Sequence, residues 1–154
     1  MTQRLKNYAT LAPESIQAMY ALEASFASSA IEPHIKELVK LRASQINGCA
    51  YCIHMHATDL RKAGESEMRL YMLDAWRESS LYSDRERAAL GWTEALTRIA
   101  ETHAPDADYA TLGAMFSEEE QVQLTLMIGA INAWNRLAIG FRAAHPVGRA
   151  RAAA

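Results

Sequence analysis

The chain has 154 residues, of which 50% are apolar and 22% are charged, and its formal net charge at pH 7 is −2. This length suits one domain with one buried core, and the composition gives no indication of intrinsic disorder. The near-neutral charge argues against a nucleic-acid-binding protein, which normally carries an excess of Lys and Arg. No apolar run approaches the roughly 20 residues of a membrane span, so we expect no membrane partner.

The pattern of apolar residues, prolines and glycines predicts helices throughout the chain. A first helix opens near Pro13, a favoured residue in the first helical turn. Pro33 opens a second helix, which Asn47 and Gly48 end as a left-handed C-cap. Helical periodicity and end signals then predict five more helices, at 49–64, 66–77, 83–102, 106–115 and 117–145.

Two of these helices begin with a capping box, in which a Ser is followed three residues later by a Glu. These pairs are Ser83 with Glu86 and Ser117 with Glu120. No segment shows the strict alternation and β-branched enrichment of a strand. We therefore predict an all-α protein, a bundle of about six or seven helices without a sheet. It forms a single domain over residues 1–147, and residues 148–154 are expected to be a flexible tail.

The only two cysteines, Cys49 and Cys52, lie three positions apart at the start of the third predicted helix. Residues 1–10 lack the apolar stretch of a secretory signal, so we expect a cytoplasmic protein. A close cysteine pair in the cytosol is more often catalytic or metal-binding than structural. The i, i+3 spacing puts both sulfurs on one helix face, and the helix N-terminus favours the nucleophilic thiolate. The cysteine pair therefore predicts redox chemistry, with the redox core of the domain at about residues 33–77.

A histidine and a glutamate stand at spacings that suit this chemistry. His56 lies one helical turn beyond Cys52, within reach directly or through one water, and can therefore move a proton. Glu37 lies on the preceding predicted helix, beyond the Asn-Gly turn. If the two helices pack antiparallel, its carboxylate can meet His56 and orient the imidazole. The spacing thus predicts a relay from carboxylate to histidine to thiol.

Other interpretations of the cysteine pair were weighed. A haem attachment site requires a His directly after the second cysteine, where Ile53 stands, and a thioredoxin fold requires a preceding strand. A zinc site stays open, with the two cysteines and His56 joined by His54 or Glu37. However, the chain has no second Cys/His cluster of the kind that structural zinc sites usually use. The cysteines can also be read as small buried hydrophobic residues.

One motif carries a family resemblance, namely Glu, eleven residues, Cys, two residues, Cys, three residues and His. It resembles the motif of the alkylhydroperoxidase AhpD family, within the wider carboxymuconolactone decarboxylase superfamily. The stretches at 38–56 and 60–64 are similar to that family, and 130–136 resembles its closing helix. The best-studied members have a His before the second cysteine, whereas this chain has Tyr51, whose hydroxyl can take that hydrogen-bonding place. The decarboxylase branch lacks the cysteine pair, so lactone decarboxylation is not favoured.

The resemblance implies an AhpD-like helical bundle and a peroxidase-type antioxidant enzyme that reduces alkyl hydroperoxides. Cys52 is then the thiol that attacks the peroxide, Cys49 resolves the sulfenic acid as a disulfide, and His56 and Glu37 form the proton relay. The resemblance further implies an external dithiol or lipoyl-type reductant and a homo-oligomer, a trimer or hexamer. It implies no cofactor or metal besides the redox-active disulfide. A general thiol–disulfide oxidoreductase or redox sensor, or a metal-binding or structural oligomerisation module, are the alternative functions.

Four further features receive no catalytic role. His54 lies about 200° around the helix from Cys52 and is expected to face away from the cysteine pair. Trp134 and Asn135 line a pocket by family analogy, although we favour a role in the core. The apolar stripe at 68–76 is expected to serve the core or a subunit contact.

Overall fold

A computed structural model describes residues 2–146 of the protein. Over that range the chain forms nine α-helices and two short 3₁₀ helices, and no strand. The α-helices are α1 (Tyr8–Leu11), α2 (Pro13–Ser25), α3 (Pro33–Asn47), α4 (Ala50–Lys62), α5 (Glu67–Met72), α6 (Asp84–Thr97), α7 (Ile99–Thr102), α8 (Asp106–Met115) and α9 (Glu118–Phe141). The 3₁₀ helices are Phe26–Ser28 and Leu73–Ala75. The predicted all-α class is confirmed, with more helices than the six or seven expected.

The helix starts follow their sequence signals. The hydroxyls of Ser83 and Ser117 each accept the backbone N–H of the glutamate three residues later. The carboxylate of that glutamate accepts the backbone N–H of the serine, so both capping boxes form. Pro33 is the first residue of α3. Gly48 ends α3 with a φ of 69°, a left-handed conformation that glycine adopts without steric cost.

Several helix ends differ from the prediction. The helix predicted at 83–102 is divided into α6 and α7, because the φ of −105° and ψ of 33° at Arg98 leave the helical region. The helix predicted to reach residue 145 ends at Phe141, since Arg142 turns left-handed and its N–H bonds back to the carbonyl of Ile139. The tail predicted at 148–154 lies outside the described residues.

Helix α3 is the centre of the bundle and packs against α4, α6 and α9. One of its faces places Ile35 and Val39 in a cluster with buried residues of α6, α8 and α9. The opposite face places Leu38 and Leu41 against Leu60 of α4 and against residues of the segment between α4 and α6. Because α3 packs against other helices on both of these faces, it has little freedom to move. It can therefore hold a functional side chain in a fixed position.

The short turn between α3 and α4 is tied to α9. The backbone N–H of Cys49 donates to the carbonyl of Ser44 at 3.0 Å. The side-chain amide of Asn47 donates to the side-chain oxygens of Asn132 and Asn135 on α9, at 2.9 and 2.8 Å. Asn135 in turn donates to the hydroxyl of Ser44 at 3.1 Å. This buried polar network fixes where α4 begins relative to α9.

The apolar stripe at 68–76 is divided between core and surface. Trp76 is buried in the core, together with Leu73 of the same segment, whereas Met68 and Tyr71 are 58% and 69% exposed. A subunit contact at this surface stays a prediction. None of the helices within residues 2–146 is long and apolar enough to cross a membrane.

Candidate active site

Cys49 and Cys52 form a disulfide at the start of α4, with their Cα atoms 5.4 Å apart. Cys49 is the N-cap residue of this helix, and its sulfur accepts a hydrogen bond from the backbone N–H of Cys52 at 3.4 Å. Both cysteines are buried, at 1% and 2% exposure. The helix N-terminus therefore acts most directly on the sulfur of Cys49, since an N–H directed at sulfur stabilises a thiolate.

Helices α3 and α4 bring Glu37 and His56 together, as their spacing predicted. The Nδ1 atom of His56 lies 2.8 Å from Oε2 of Glu37. With Glu37 ionised, Nδ1 carries a proton and donates it, which leaves Nε2 of the neutral imidazole as the basic nitrogen. His56 is buried, and within residues 2–146 its Nε2 atom has no hydrogen-bond partner. An orphaned basic nitrogen of this kind is suited to accept and return a proton.

Lys40, one turn along α3 from Glu37, adds a charge that the sequence analysis did not assign to the site. Its Nζ atom lies 3.5 Å from Oε1 of Glu37 and 3.0 Å from Oε2 of Glu23 on α2. Burial raises the pKa of Glu37, but the hydrogen bond and charge of His56 and the charge of Lys40 lower it by more, so the pKa lies below its ordinary value. Glu37 is therefore held in its ionised form.

A pocket of about 400 Å³ opens over the disulfide, between α1, α2, α3, α4 and α9. Cys52 and His56 both line it, whereas Cys49 does not. Its apolar lining includes the rings of Tyr8, Tyr20, Tyr51 and Trp134 and the side chains of Met55 and Ile131. Its charged lining consists of Glu23, Glu37, Lys40 and Asp59. Of the two cysteines, only Cys52 therefore lies where a small molecule in the pocket can contact it.

The other residues considered from the sequence lie away from this pair or support it. His54 is exposed, and its ring lies 5.6 Å from that of His145. Trp134, for which a core role was favoured, lines the pocket instead and packs against Tyr20 in a tilted arrangement, with ring centres 5.3 Å apart. Asn135 is completely buried in the polar network behind the turn.

Sequence reasoning did not find the contributions of the N-terminal segment, because residues distant in sequence show no shared pattern before folding. Tyr8 of α1 reaches the pocket and stacks on Phe141 at the end of α9, with ring centres 5.2 Å apart. The backbone N–H of Arg4 donates to the carbonyl of Phe141 at 3.0 Å. One signal was available for Lys40, since its i, i+3 spacing from Glu37 predicts a contact on one helix face.

Across the described part of the chain, no three side chains among His, Cys, Asp and Glu are grouped as ligands for a metal ion. Zinc binds cysteine as the thiolate. Cys49 and Cys52 are joined as a disulfide here, and Glu37 is engaged by His56 and Lys40. The residues proposed for a zinc site thus have other partners in this structure.

An all-helical bundle with a CxxC disulfide beside a Glu–His pair defines the class of this protein, and comparison with known sequences specifies it. The sequence profile of the carboxymuconolactone decarboxylase family matches residues 13–95. The chain belongs to this family, and within it the AhpD-like resemblance is confirmed.

Relatives of known sequence or structure cover nearly the whole chain. The uncharacterized protein YdfG of Bacillus subtilis (strain 168) is 44% identical over 146 residues, which are 94% of this chain and 99% of YdfG. A crystal structure from Agrobacterium tumefaciens is 51% identical, with a TM-score of 0.91 over 96% of this chain and 100% of that chain. It is described as a protein of unknown function and proposed there to be the antioxidant defence protein AhpD.

A more distant structure shares the fold. An uncharacterized peroxidase-related protein from Silicibacter sp. TM1040 is 24% identical, with a TM-score of 0.74 over 84% of this chain and 69% of that chain. At this identity the likeness concerns the fold alone. The close relatives and the family profile together support an oxidoreductase-like role at the level of the family.

Proposed function

We propose that the protein reduces organic hydroperoxides through a dithiol–disulfide cycle of Cys49 and Cys52. One observation carries the proposal: Cys52 and His56 line the same pocket, and the Nε2 atom of His56 has no hydrogen-bond partner among the described residues. A thiol, a nearby base and space for a small molecule are the three requirements for attack on a peroxide. The close relative proposed to be an antioxidant defence protein agrees with this assignment.

The oxidative half of the cycle begins with the reduced pair. The Cys52 thiol gives its proton to Nε2 of His56, directly or through a water, and the thiolate attacks the terminal oxygen of the hydroperoxide. The O–O bond breaks, Cys52 becomes a sulfenic acid, and the leaving alkoxide takes the proton from His56 to become an alcohol. The Cys49 thiol then attacks the sulfenic sulfur, which forms the disulfide and releases water.

The reductive half requires an external dithiol. Because Cys52 lines the pocket and Cys49 does not, a reductant attacks the sulfur of Cys52, and the sulfur of Cys49 leaves. The N–H of Cys52 stabilises the departing thiolate of Cys49 from the N-cap position. The second thiol of the reductant then releases Cys52. In sum, one hydroperoxide and one dithiol become an alcohol, water and the disulfide of the reductant.

The burial of both cysteines also bears on the alternative of a general thiol–disulfide oxidoreductase. At 1% and 2% exposure, neither sulfur is offered to the surface of a folded protein. A small dithiol of the lipoyl type can enter the pocket, whereas a protein disulfide cannot do so without movement of its walls. For a redox sensor that uses the same cysteine pair, we expect slower oxidation of the thiols by peroxide. Assembly into trimers or hexamers and a cytoplasmic location stay predictions.

Single-cysteine variants test the cycle, and since the chain has only two cysteines each variant is the control of the other. We expect Cys52→Ser to reduce an alkyl hydroperoxide only at the background rate when a dithiol is supplied. Cys49→Ser should consume about one equivalent of hydroperoxide and then stop at the sulfenic acid, which no partner thiol resolves. Stopped-flow assays and mass spectrometry measure both outcomes. Wild-type turnover by Cys52→Ser contradicts the proposal.

A further inference from the structure

The pocket over Cys52 has an aromatic wall and an acidic wall. The aromatic wall consists of Tyr8, Tyr20, Tyr51 and Trp134, which come from four different helices. The acidic wall consists of Glu23, Glu37 and Asp59. Such a combination of ring surfaces with a few charged groups is typical of a site that orients a small organic molecule.

We infer that the substrate of this site is an uncharged hydroperoxide whose body carries a ring, and that the pocket selects against anionic hydroperoxides. This inference rests on the proposed function and specifies its substrate class. The ring lies along the aromatic wall, and the peroxide group points at Cys52. The reaction is the one already written: the alkoxide leaves and takes the proton from His56 to become the alcohol.

The size and lining of the pocket support a body larger than hydrogen peroxide. A water molecule occupies about 30 Å³ in the liquid, whereas the pocket measures about 400 Å³. A small peroxide leaves most of the ring surfaces in contact with water. Aromatic pairs gain stability beyond the burial of their area when the rings stack or meet at an edge. The ring centres of Tyr20 and Trp134 lie 5.3 Å apart, so these two side chains present a preformed aromatic surface.

The charges of the pocket support an uncharged substrate. Lys40 is the single Lys or Arg among the described residues that line the pocket. It already forms ion pairs with the carboxylates of Glu23 and Glu37. The side chain of Lys40 is only 14% exposed. Asp59 adds a further negative charge at 51% side-chain exposure; its ion pair with Lys62, at 3.5 Å, is exposed to solvent and only partly offsets that charge. A cleft lined by one sign of charge focuses its potential and lowers the local concentration of ions of that sign.

Two of the four aromatic residues of the pocket come from outside the segment that supplies its reactive groups. The reactive groups and the acidic wall lie within residues 13–95, the segment that matches the family profile. Tyr8 and Trp134 lie outside that segment, on α1 and α9. The backbone and guanidinium of Arg4 bind the carbonyls of Phe141 and Gly140, which holds α1 against the end of α9. Specificity can therefore differ between members that keep the same reactive groups.

The test uses single-turnover oxidation of the reduced wild-type protein, so that no external reductant influences the rate. The three probes are cumene hydroperoxide, its para-carboxylate and hydrogen peroxide. We expect the second-order rate constant of cumene hydroperoxide to exceed that of the carboxylate by about 3- to 10-fold at low salt, and salt to narrow the gap. We also expect the rate constant of cumene hydroperoxide to exceed the rate constant of hydrogen peroxide.

Two variants test whether the acidic and the aromatic residues of the pocket cause this selectivity. Asp59→Asn should raise the rate of the carboxylate relative to cumene hydroperoxide by about threefold. Tyr8→Ala should lower the rate of cumene hydroperoxide relative to hydrogen peroxide by about 3- to 10-fold. Glu78→Gln and Tyr71→Ala, at exposed positions that do not line this pocket, are the matched controls and should keep both ratios.

The outcomes separate this inference from the proposed function. If no hydroperoxide oxidises the thiol pair faster than a free thiol does, the proposed function fails. If all three oxidise it at similar rates, or the carboxylate is fastest, the peroxidase function stands and the substrate class is wrong. If a variant does not fold, the comparison of the three probes on the wild-type protein still decides between these results.

Discussion

Lys40 lies between the carboxylates of Glu23 and Glu37, and its charge favours the ionised form of Glu37. His56, on α4, also lowers the pKa of Glu37 through its hydrogen bond and charge. Asp59 adds a negative charge to the same pocket. An ionised Glu37 keeps the proton of His56 on Nδ1 and leaves Nε2 basic. Lys40 is thus a positioning residue, which acts on the thiol through two other side chains.

The variant Lys40→Met tests this role through the pH dependence of thiol oxidation. Without the charge of Lys40, the pKa of Glu37 rises, so Glu37 becomes protonated at higher pH. We therefore expect the acidic limb of the rate profile to move to higher pH, measured by stopped-flow single turnovers. Lys6→Met, at an exposed position that does not line the pocket, is the matched control. An acidic limb at the wild-type position in Lys40→Met contradicts the role.

At the scale of elements, the site depends on how α9 holds the turn between α3 and α4. Asn135 is 0% exposed and joins Asn47 and Ser44 through its side chain. Buried amides require their hydrogen bonds, because an unsatisfied donor or acceptor loses its hydration without compensation. This network therefore contributes both stability and the position of Cys49 at the start of α4.

We expect Asn135→Ala to lower the free energy of unfolding by about 1–3 kcal/mol, because Asn47 and Ser44 lose partners inside the protein. Urea denaturation measures the loss. Gln17→Ala, which truncates an exposed amide on α2, is the control and should change the free energy by less than about 0.5 kcal/mol. Equal effects of the two substitutions mean that the network is not a stabilising element.

Across the whole molecule, the helices are joined by carboxylates that are bound to cations. Burial raises the pKa of Glu94, but hydrogen bonds from Trp76, Arg77 and Arg42 lower it by more, so its pKa lies below the ordinary value. Glu86 shows the same balance, with Arg69 as its main cationic partner. The folded state therefore holds these carboxylates as ions, and the unfolded state binds protons more readily as the pH falls.

The free energy of unfolding should accordingly fall on acidification. A carboxyl with a lowered folded-state pKa stabilises the protein above its unfolded pKa, and that contribution is lost as the pH falls through the folded-state value. Urea titrations at about pH 7 and about pH 4 measure the loss. Glu94→Gln should be less stable at neutral pH and show a smaller difference between the two conditions. The exposed Glu101→Gln is the control.

Many features of the fold were predictable because their causes are local. The capping boxes at Ser83 and Ser117 and the glycine C-cap at Gly48 involve only residues within one or two turns. The division at Arg98 and the early end of α9 were not predicted. Apolar residues continue past both ends, and Ala104 and Ala143 beyond them still pack against buried clusters. Packing in three dimensions, rather than the local pattern, decided where these helices stop.

The sequence by itself determined the all-α class and the cysteine pair at a helix N-terminus, and it predicted the contact between Glu37 and His56 for antiparallel packing of α3 and α4. Each follows from spacing along one helix or across one short turn, so few arrangements satisfy it. Only the tertiary structure decided that Cys52, and not Cys49, faces a pocket, and that Lys40, Tyr8 and Trp134 line it. Tyr8 and Trp134 lie near opposite ends of the described chain, so no local rule relates their positions before the bundle packs.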